Sequence, residues 1–340
     1  MLLILKVLKN LVKIFFVLLF IGCSNDPKIF LYSKSGNALG TYYKIIYTDT
    51  KPLENLTQLT DSIFSEINQS MSTYISNSDI SKINKDINSV EIDNHFKKVF
   101  NESKIIWKST NGFFDPTIGL LSKAYGFGPE NELKKNVNID SLMNFVGFEK
   151  VAIENNFVRK KVKGIYLDFN AIAKGYCVDV ISNMLKEKNI NNHLVEIGGE
   201  MVASGKNQIT NTFWRVGITD PLNVSSNNFI SKIELKNKSL ASSGNYRKYI
   251  VDKKSGKKIV HTINPKNGNA YKTNILGTSV IANHCMTADA YATSFMAMPI
   301  KKSKELISSL KNIDVMIIYY DENSQMKIYK TEGFDKLILD

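Results

Sequence analysis

Apolar positions recur along the chain with two periods, and the switches between them mark out its elements. From Leu53 to Ser70 the residues Leu56, Leu59, Ile63, Phe64 and Ile67 fall three or four apart, as one face of a helix requires. The stretch NHFKKVFNESKIIWKST (94–110) repeats that spacing and runs into Asn111-Gly112, a pair suited to ending a helix. Further helices are predicted near 140–146, over 172–188, at TADAYATSF (287–295) and at KKSKELISSLK (301–311). GTYYKIIYT (40–48) alternates as a strand does. KVAIENNFVRKK (150–161) and VKGIYLDFN (162–170) are predicted to pair with each other, and NHLVEIGGEMVASG (192–205) reads as one returning strand. FWRVGIT, FISKIELKN, YRKYIVD, KKIVHTI, GTSVIAN, DVMIIYY and MKIYKT add further strands. Helices interspersed with largely antiparallel strands, without repeats, predict an α+β (mixed α/β) body over residues 37–340.

The first 23 residues follow a different logic. Lys6, Lys9 and Lys13 precede IFFVLLFIG, an apolar run too short to span a bilayer but suited to a signal peptide. It ends in FIGC, which resembles a bacterial lipobox with Phe20 in place of the usual Leu. Cys23 would then be the lipidated first residue of the mature chain, with an uncleaved N-terminal anchor as the alternative. Both readings put the folded part on the extracytoplasmic, periplasmic side of a membrane, held there by residues 24–36 as a tether. Cys177 and Cys285 remain; two isolated cysteines form neither a disulfide framework nor a metal spacing, and both sit in apolar surroundings. The net charge of +12 raises the question of nucleic acid. The lysines are scattered among Asn and Ser with no basic stripe interleaved with aromatics, so nucleic acid is not expected. An anionic small ligand remains compatible.

Several short stretches carry Gly, Asp, His or Lys where a plain element has no need of them. LDFNAIAKG (167–175) sets Asp168 at a strand end and Lys174 at a helix start, where free N–H groups suit phosphate. A lysine there opposes the helix dipole and calls for an anionic partner, a carboxylate or a phosphate. EIGGE (196–200) breaks a strand with two glycines, SSGNYR (242–247) is a small-residue turn, HTINPKNG (261–268) sets His261 before a Pro turn, and GFFDPTIG (112–119) sets Asp115 before another. Each is also ordinary turn punctuation, and His261 alone reads as a structural hydrogen-bonding group. Asp289 in TADAYATSF has two readings. With Thr287 as N-cap it answers the dipole from the first turn, worth about 0.3–1 kcal/mol. It also shares a helix face with Thr293, four residues on, as a pair of oxygen ligands would.

Taken in order, GTYY, MSTYISNSDISKIN, NGFFDPTIG, LDFNAIAKG, LVEIGGE, SLASSGNYR, HTINPKNG and TADAYATSF resemble the ApbE family of FAD:protein FMN transferases, from about residue 36 to the end. That resemblance implies FAD in a cleft beside Mg²⁺, and transfer of FMN to a threonine or serine hydroxyl with release of AMP. It implies metal ligands at Asp289 and Thr293 and at the backbone carbonyl of Ala171. It implies flavin contacts at Leu39, Ser72, Thr73, Tyr74, Phe113, Phe114, Asp115, Asp168, Lys174 and Ile263, and a reactive-site His at His261. Acceptors would be extracytoplasmic subunits of membrane redox complexes bearing a Ser/Thr flavinylation motif. Mg²⁺ takes hard oxygen ligands and often a single carboxylate when phosphates complete its shell, which agrees with Asp289. Asn170, Asn264 and Asn267 depart from the family pattern. The same site with water as nucleophile would be a Mg²⁺-dependent FAD hydrolase; without chemistry it would be an FAD-binding lipoprotein.

Overall fold

Strand β1 (Phe30–Ala38) already belongs to the main sheet, so the folded body begins inside the stretch predicted as a tether (24–36). Its sequence hides this because an edge strand covers only one face: Tyr32, Lys34, Gly36 and Ala38 are half-buried while Leu31, Ser33, Ser35 and Asn37 face out. The computed structural model describes residues 27–130, 132–134, 137–223, 229–245, 249–251, 256, 258–270 and 273–339. The leader and Cys23 lie outside the described residues.

β1 turns at Leu39-Gly40 into β2 (Thr41–Asp49). Helices α1 (Leu56–Met71), α2 (Asp79–Asn84), α3 (Asn94–Ser109), α4 (Gly119–Ala124) and α5 (Ile139–Met143) follow. A small hairpin, β3 (Val151–Glu154) with β4 (Phe157–Lys160), leads to α6 (Ala173–Glu187). Then come β5 (His193–Ile197), β6 (Glu200–Ser204), β7 (Trp214–Thr219), β8 (Phe229–Leu235), β9 (Ser239–Gly244), β10 (Tyr249–Val251), β11 (Lys258–Val260) and β12 (Ile275–Ala282). The chain closes with α7 (Cys285–Ala297), α8 (Ile300–Ser309), β13 (Asp314–Tyr320), β14 (Met326–Lys330) and α9 (Glu332–Asp335).

Among the described residues, eight strands form one sheet in the order β1-β2-β5-β6-β9-β12-β13-β14, antiparallel throughout. Both faces of its centre are covered, which is why β12 is buried at every position. One face packs on α1, α6 and α7 through Ile45, Val195, Val280, Ile181 and Phe295. The other packs on the β7–β8 hairpin and α9 through Leu194, Ile281, Trp214, Ile233 and Phe334. A third cluster joins α4, β11 and the segment after it through Leu121, Tyr125, Phe127, Ile259 and Ile263.

α3 shows the local code at its clearest. Asp93 caps its start by accepting from the Phe96 N–H at 2.7 Å, and Phe96, Val99, Phe100, Ser103 and Ile106 form the buried face. At its end the Gly112 N–H donates to the Trp107 carbonyl (2.8 Å) and the Asn111 N–H to that of Lys108 (3.1 Å), with φ positive at both residues. This is the glycine-terminated stop that the sequence predicts.

Two strand predictions need correction. KVAIENNFVRKK folds on itself, β3 against β4, because Asn155 and Asn156 both adopt positive φ and make a tight turn; VKGIYLDFN is an extended segment holding a single bridge, Ile118 to Tyr166. NHLVEIGGEMVASG is likewise two strands, β5 and β6, with Gly198 and Gly199 at positive φ between them. The glycines there serve a hairpin: a Cβ on Gly198 would stand 2.8 Å from the Thr41 side chain.

Candidate active site

The helices α6 and α7 cap each other. α6 starts at Ala173 without a side-chain cap of its own, and the Gly175 N–H in its first turn donates to the Asp289 carboxylate of α7 at 3.0 Å. α7 in turn starts at Cys285, and the Cys285 and Met286 N–H groups donate to the two oxygens of Asp179 on α6, at 2.8 and 2.9 Å. Thr287 is therefore not the N-cap: it lies inside α7 and donates to Glu102 at 2.6 Å, and Asp289 falls beyond the first turn. A carboxylate buried to 2 % exposure in a helix of Ala, Phe and Met answers the dipole of the neighbouring helix, not that of its own.

Close approach of the two helices makes this geometry. A Cβ on Gly175 would meet the Cys285 carbonyl oxygen at 2.5 Å and the Asp289 Cβ at 2.8 Å. Thr293, half-buried, lies one helical turn beyond Asp289 on the same face. Ala171 sits in the turn that feeds α6, where the Ile172 and Ala173 N–H groups both donate to the Phe169 carbonyl. Lys174, the second residue of α6, forms an ion pair of 2.6 Å with Glu200, itself only 2 % exposed. The anionic partner that the position of Lys174 demands is thus in place within the chain. Burial above all holds the Cys285 thiol well above its usual pKa; Asp179, Asp289 and Glu200 add to this and Lys174 opposes it. Asp179, Asp289, Glu200 and Lys174 are thus all near enough to Cys285 to act on its thiol. Burial pushes Asp179 up to about 6, against its two backbone donors.

The loop that enters α6 also reaches a second cluster. Asn84 pins it by accepting from the Leu167 N–H (2.7 Å) and donating to the Leu167 carbonyl (2.8 Å). Next to this pin, Asp168 accepts from the Asn170 N–H at 2.8 Å, and its own N–H donates to the Pro116 carbonyl. The Tyr74 and Tyr166 hydroxyls are held above their ordinary pKa, first by burial and then by the Asp168 carboxylate. The Tyr74 hydroxyl reaches the Phe127 carbonyl at 3.4 Å, and the Phe127 ring stands edge-on to the His261 imidazole with centroids 6.4 Å apart. Tyr125 donates to the Gly268 carbonyl at 2.9 Å, tying the His261 loop to the same segment. Tyr74, Asp168, Phe127 and His261 thus form a connected rim that continues along one loop to Lys174.

The other predicted residues divide by burial. Ser72 presents its carbonyl to the Ser78 hydroxyl (2.6 Å) and Thr73 is buried, so MSTYISNSDISKIN is a folded knot that holds Tyr74 outward. Leu39 adopts φ +51°, strained for a branched residue, at the tip of the β1–β2 turn. Phe113 and Phe114 are core side chains. Asp115 is a buried hub: one oxygen accepts from the Thr117 N–H and hydroxyl, the other from Trp107 Nε1 and the Phe148 N–H. Burial raises its pKa while those four donors oppose the rise. Ile263 is buried with Tyr125 and Phe127. Five residues that the sequence reading gave no role have one here: Asn84, Phe127, Gly175, Asp179 and Glu200. AYGFGP (124–129) and the Glu that closes EIGGE were the signals available for Phe127 and Glu200.

Among the described residues no three His, Cys, Asp or Glu converge as a self-sufficient metal site. The Asp289 carboxylate, the Thr293 hydroxyl one turn on and the Ala171 carbonyl in the loop entering α6 are all oxygen donors, and the carboxylates that act on Cys285 favour a cation. That set fits Mg²⁺ held jointly with ligand phosphates. A helix N-terminus, a lysine and oxygen donors beside an aromatic rim are chemistry that suits a phosphate-bearing ligand with a ring system.

The ApbE family model matches residues 39–317, and the chain belongs to the ApbE family. An FAD:protein FMN transferase of Haemophilus influenzae is 31 % identical over 332 residues, covering 94 % of both chains. One from Vibrio cholerae is 30 % identical over 94 % of this chain and 95 % of its own. The solved structure of the Vibrio cholerae flavin transferase ApbE superposes with a TM-score of 0.80 at 28 % identity, covering 91 % of this chain and all of that one.

Proposed function

We propose that the protein transfers FMN from FAD to a threonine or serine hydroxyl of extracytoplasmic acceptor proteins, in a Mg²⁺-dependent reaction. The observation that carries this reading is the junction of α6 and α7, where Gly175, Lys174 and Asp289 converge at the end of the loop that begins beside Tyr74 and Asp168. The FAD pyrophosphate belongs at the N-terminus of α6, with Lys174 as counter-charge. Asp289, Thr293 and the Ala171 carbonyl would hold Mg²⁺, which when bound neutralises phosphate charge and orients the phosphorus for attack. Asp168, between two tyrosines, accepts hydrogen bonds from the nucleotide. His261 takes the proton of the acceptor hydroxyl as its oxygen bonds to the FMN phosphorus; the bond to the AMP oxygen breaks and AMP leaves. Gly175 and Asp179 keep Asp289 in register with the helix end.

The acceptors in this reading are subunits of membrane redox complexes, and lipidated Cys23 keeps the enzyme on the membrane that carries them. The membrane tether is short, because β1 begins at Phe30. Incubation with FAD, Mg²⁺ and a candidate acceptor, followed by intact-mass analysis, tests the proposal. The expected result is a covalent FMN adduct on the acceptor with stoichiometric AMP. AMP and free FMN without an adduct would make the protein a hydrolase instead.

A further inference from the structure

A cavity of about 380 Å³ opens between the end of α3, the end of α5 and the turn at Pro265-Lys266. Its apolar surface is Trp107, Met143, Val146 and Pro265, and its edge carries Lys108 and Lys266 against Glu149. It is separate from the α6–α7 junction: Ala171, Lys174, Glu200, Asp289 and Thr293 do not line it. Asp115 does, but both its oxygens are committed to the four donors described above.

Its walls are preformed. Asp115 fixes Trp107, and Gly112 at φ +75° leaves room: a Cβ there would stand 3.4 Å from Lys266 Nζ and 3.5 Å from Trp107 Nε1. Lys266 ties the far wall to the end of α3 by donating to the Asn111 carbonyl at 3.1 Å. That wall belongs to the loop carrying His261. Asn264 closes the loop on itself, accepting from the Gly268 N–H and donating to the Asn269 carbonyl, both at 2.8 Å. Pro265 is four residues from His261, so the Cα atoms of the cavity wall and of His261 are at most about 14 Å apart, the reach of four extended residues.

We propose that this cavity docks the acceptor polypeptide. An extended segment seats one apolar side chain of Leu to Phe size against Trp107 and Met143, two to four residues from the hydroxyl presented to His261. The rim, two lysines against one glutamate, favours a carboxylate in the flank of that segment. The inference rests on the acceptor reading above and adds how the acceptor is chosen: by an apolar anchor at a fixed spacing from the modified residue.

Trp107 reports on occupancy directly. The chain has two tryptophans, and the other, Trp214, is buried on the opposite face of the sheet. In a Trp214→Phe protein with FAD and Mg²⁺, Trp107 fluorescence is titrated with synthetic peptides of about twelve residues, each with one Thr and one Leu placed progressively further from it. The expected result is a saturating change only for peptides with Leu within about four residues of Thr. An adjacent Asp tightens it and salt weakens it. Met143→Arg should weaken the response by roughly tenfold or more, the loss of one buried apolar side chain, and leave FAD turnover in water unchanged. Lys108→Glu, on an exposed residue, should reverse the preference for Asp while keeping the fold. A response independent of Leu position, or unchanged in both variants, overturns the proposal. If wild-type enzyme modifies no protein yet Trp107 still responds as described, the transfer reading fails and the docking site stands. If Met143→Arg transfers FMN with an unaltered acceptor KM, the docking site fails and the transfer reading stands.

Discussion

Replacing Gly175 by alanine tests whether contact between α6 and α7 sets the position of Asp289. On propensity alone the change should help, since Ala is about 1 kcal/mol better than Gly inside a helix. The structure predicts the opposite sign. The new methyl would lie 2.5 Å from the Cys285 carbonyl oxygen and 2.8 Å from the Asp289 Cβ, so α7 must retreat by roughly 1 Å. The Cys285 carbonyl cannot swing aside alone, because the N–H groups of Cys285 and Met286 are both held by Asp179. Overpacking costs about 1–3 kcal/mol, and stretching the bond from the Gly175 N–H to a carboxylate adds about 1.5–3 kcal/mol. Less the propensity gain, the net loss is roughly 1.5–5 kcal/mol, a drop in Tm of roughly 2–7 °C for a chain of this size. Calorimetry measures the first effect. Titration of Mg²⁺ against FAD fluorescence measures the second, an expected loss of metal affinity as Asp289 moves. A variant that melts at or above the wild-type temperature with unchanged Mg²⁺ affinity would refute the reasoning, because the helices would then be free to part without consequence.

Three further outcomes follow from the same geometry. Asp289→Asn keeps an oxygen to accept from the Gly175 N–H, so its Tm should stay close to wild type while FAD binding loses its response to Mg²⁺, a neutral amide being a poorer ligand for a hard dication. His261→Ala should lower transfer about 10²–10⁴-fold and leave FAD binding intact, measured by acceptor mass shift and flavin fluorescence; equal loss of both would make His261 structural. Two contributions to the pH dependence oppose each other, and the raised pKa of Asp115 acts on the side of Asp179. Asp179, raised to about 6 from the ordinary value of 3.8, favours the protonated fold, so its contribution is full below pH 4 and is lost as pH rises through 6. His193 is buried and neutral, accepting from Ser182 and donating to the Ile190 carbonyl, and burial lowers it to about 4 from 6.5. Its contribution is present above pH 6.5 and lost as pH falls through 4. Denaturant melts between pH 4 and 6.5 should therefore show stability rising more steeply with pH in Asp179→Asn than in wild type, and an unchanged slope would exclude Asp179 as the opposing group.

How much of this was legible depended on where the information resides. α1, α3 and α6 were readable because each buries one face and its apolar positions keep the helical period. α7 is apolar on every side, so its period is silent, and only the oddity of Asp289 drew notice. β1 was missed as part of the body because half of its residues face solvent at the sheet edge. EIGGE stands out in the sequence as a strand broken by two glycines; those glycines make a hairpin, and its last residue, Glu200, is the partner of Lys174. Asp115 illustrates the converse: an Asp before Pro stands out in a sequence, yet here it knots three segments together through four donors. A sequence displays residue types that are unusual for an element. It does not display which of two unusual carboxylates has its hydrogen bonds satisfied internally.

The exchange of caps between α6 and α7 explains why the site could not be read from either helix alone. Each helix lacks a side-chain cap in its own chain neighbourhood, Ile172 preceding one and His284 the other, and by local rules each would count as a weak start. The deficit is met in pairs: Asp179 serves the N–H groups of α7, and Asp289 serves that of Gly175 on α6. The arrangement places two carboxylates at the foot of two positive helix ends, close together only because Gly175 lets the helices touch. One of them, Asp179, gives both oxygens to backbone donors and positions α7. Asp289 gives one oxygen to Gly175 and carries Thr293 beside it one turn on. The same geometry that stabilises the helix pair thus aims an acid at the N-terminal end of α6. Stability and site geometry are coupled here, and substitutions at Gly175 or Asp179 should move both together.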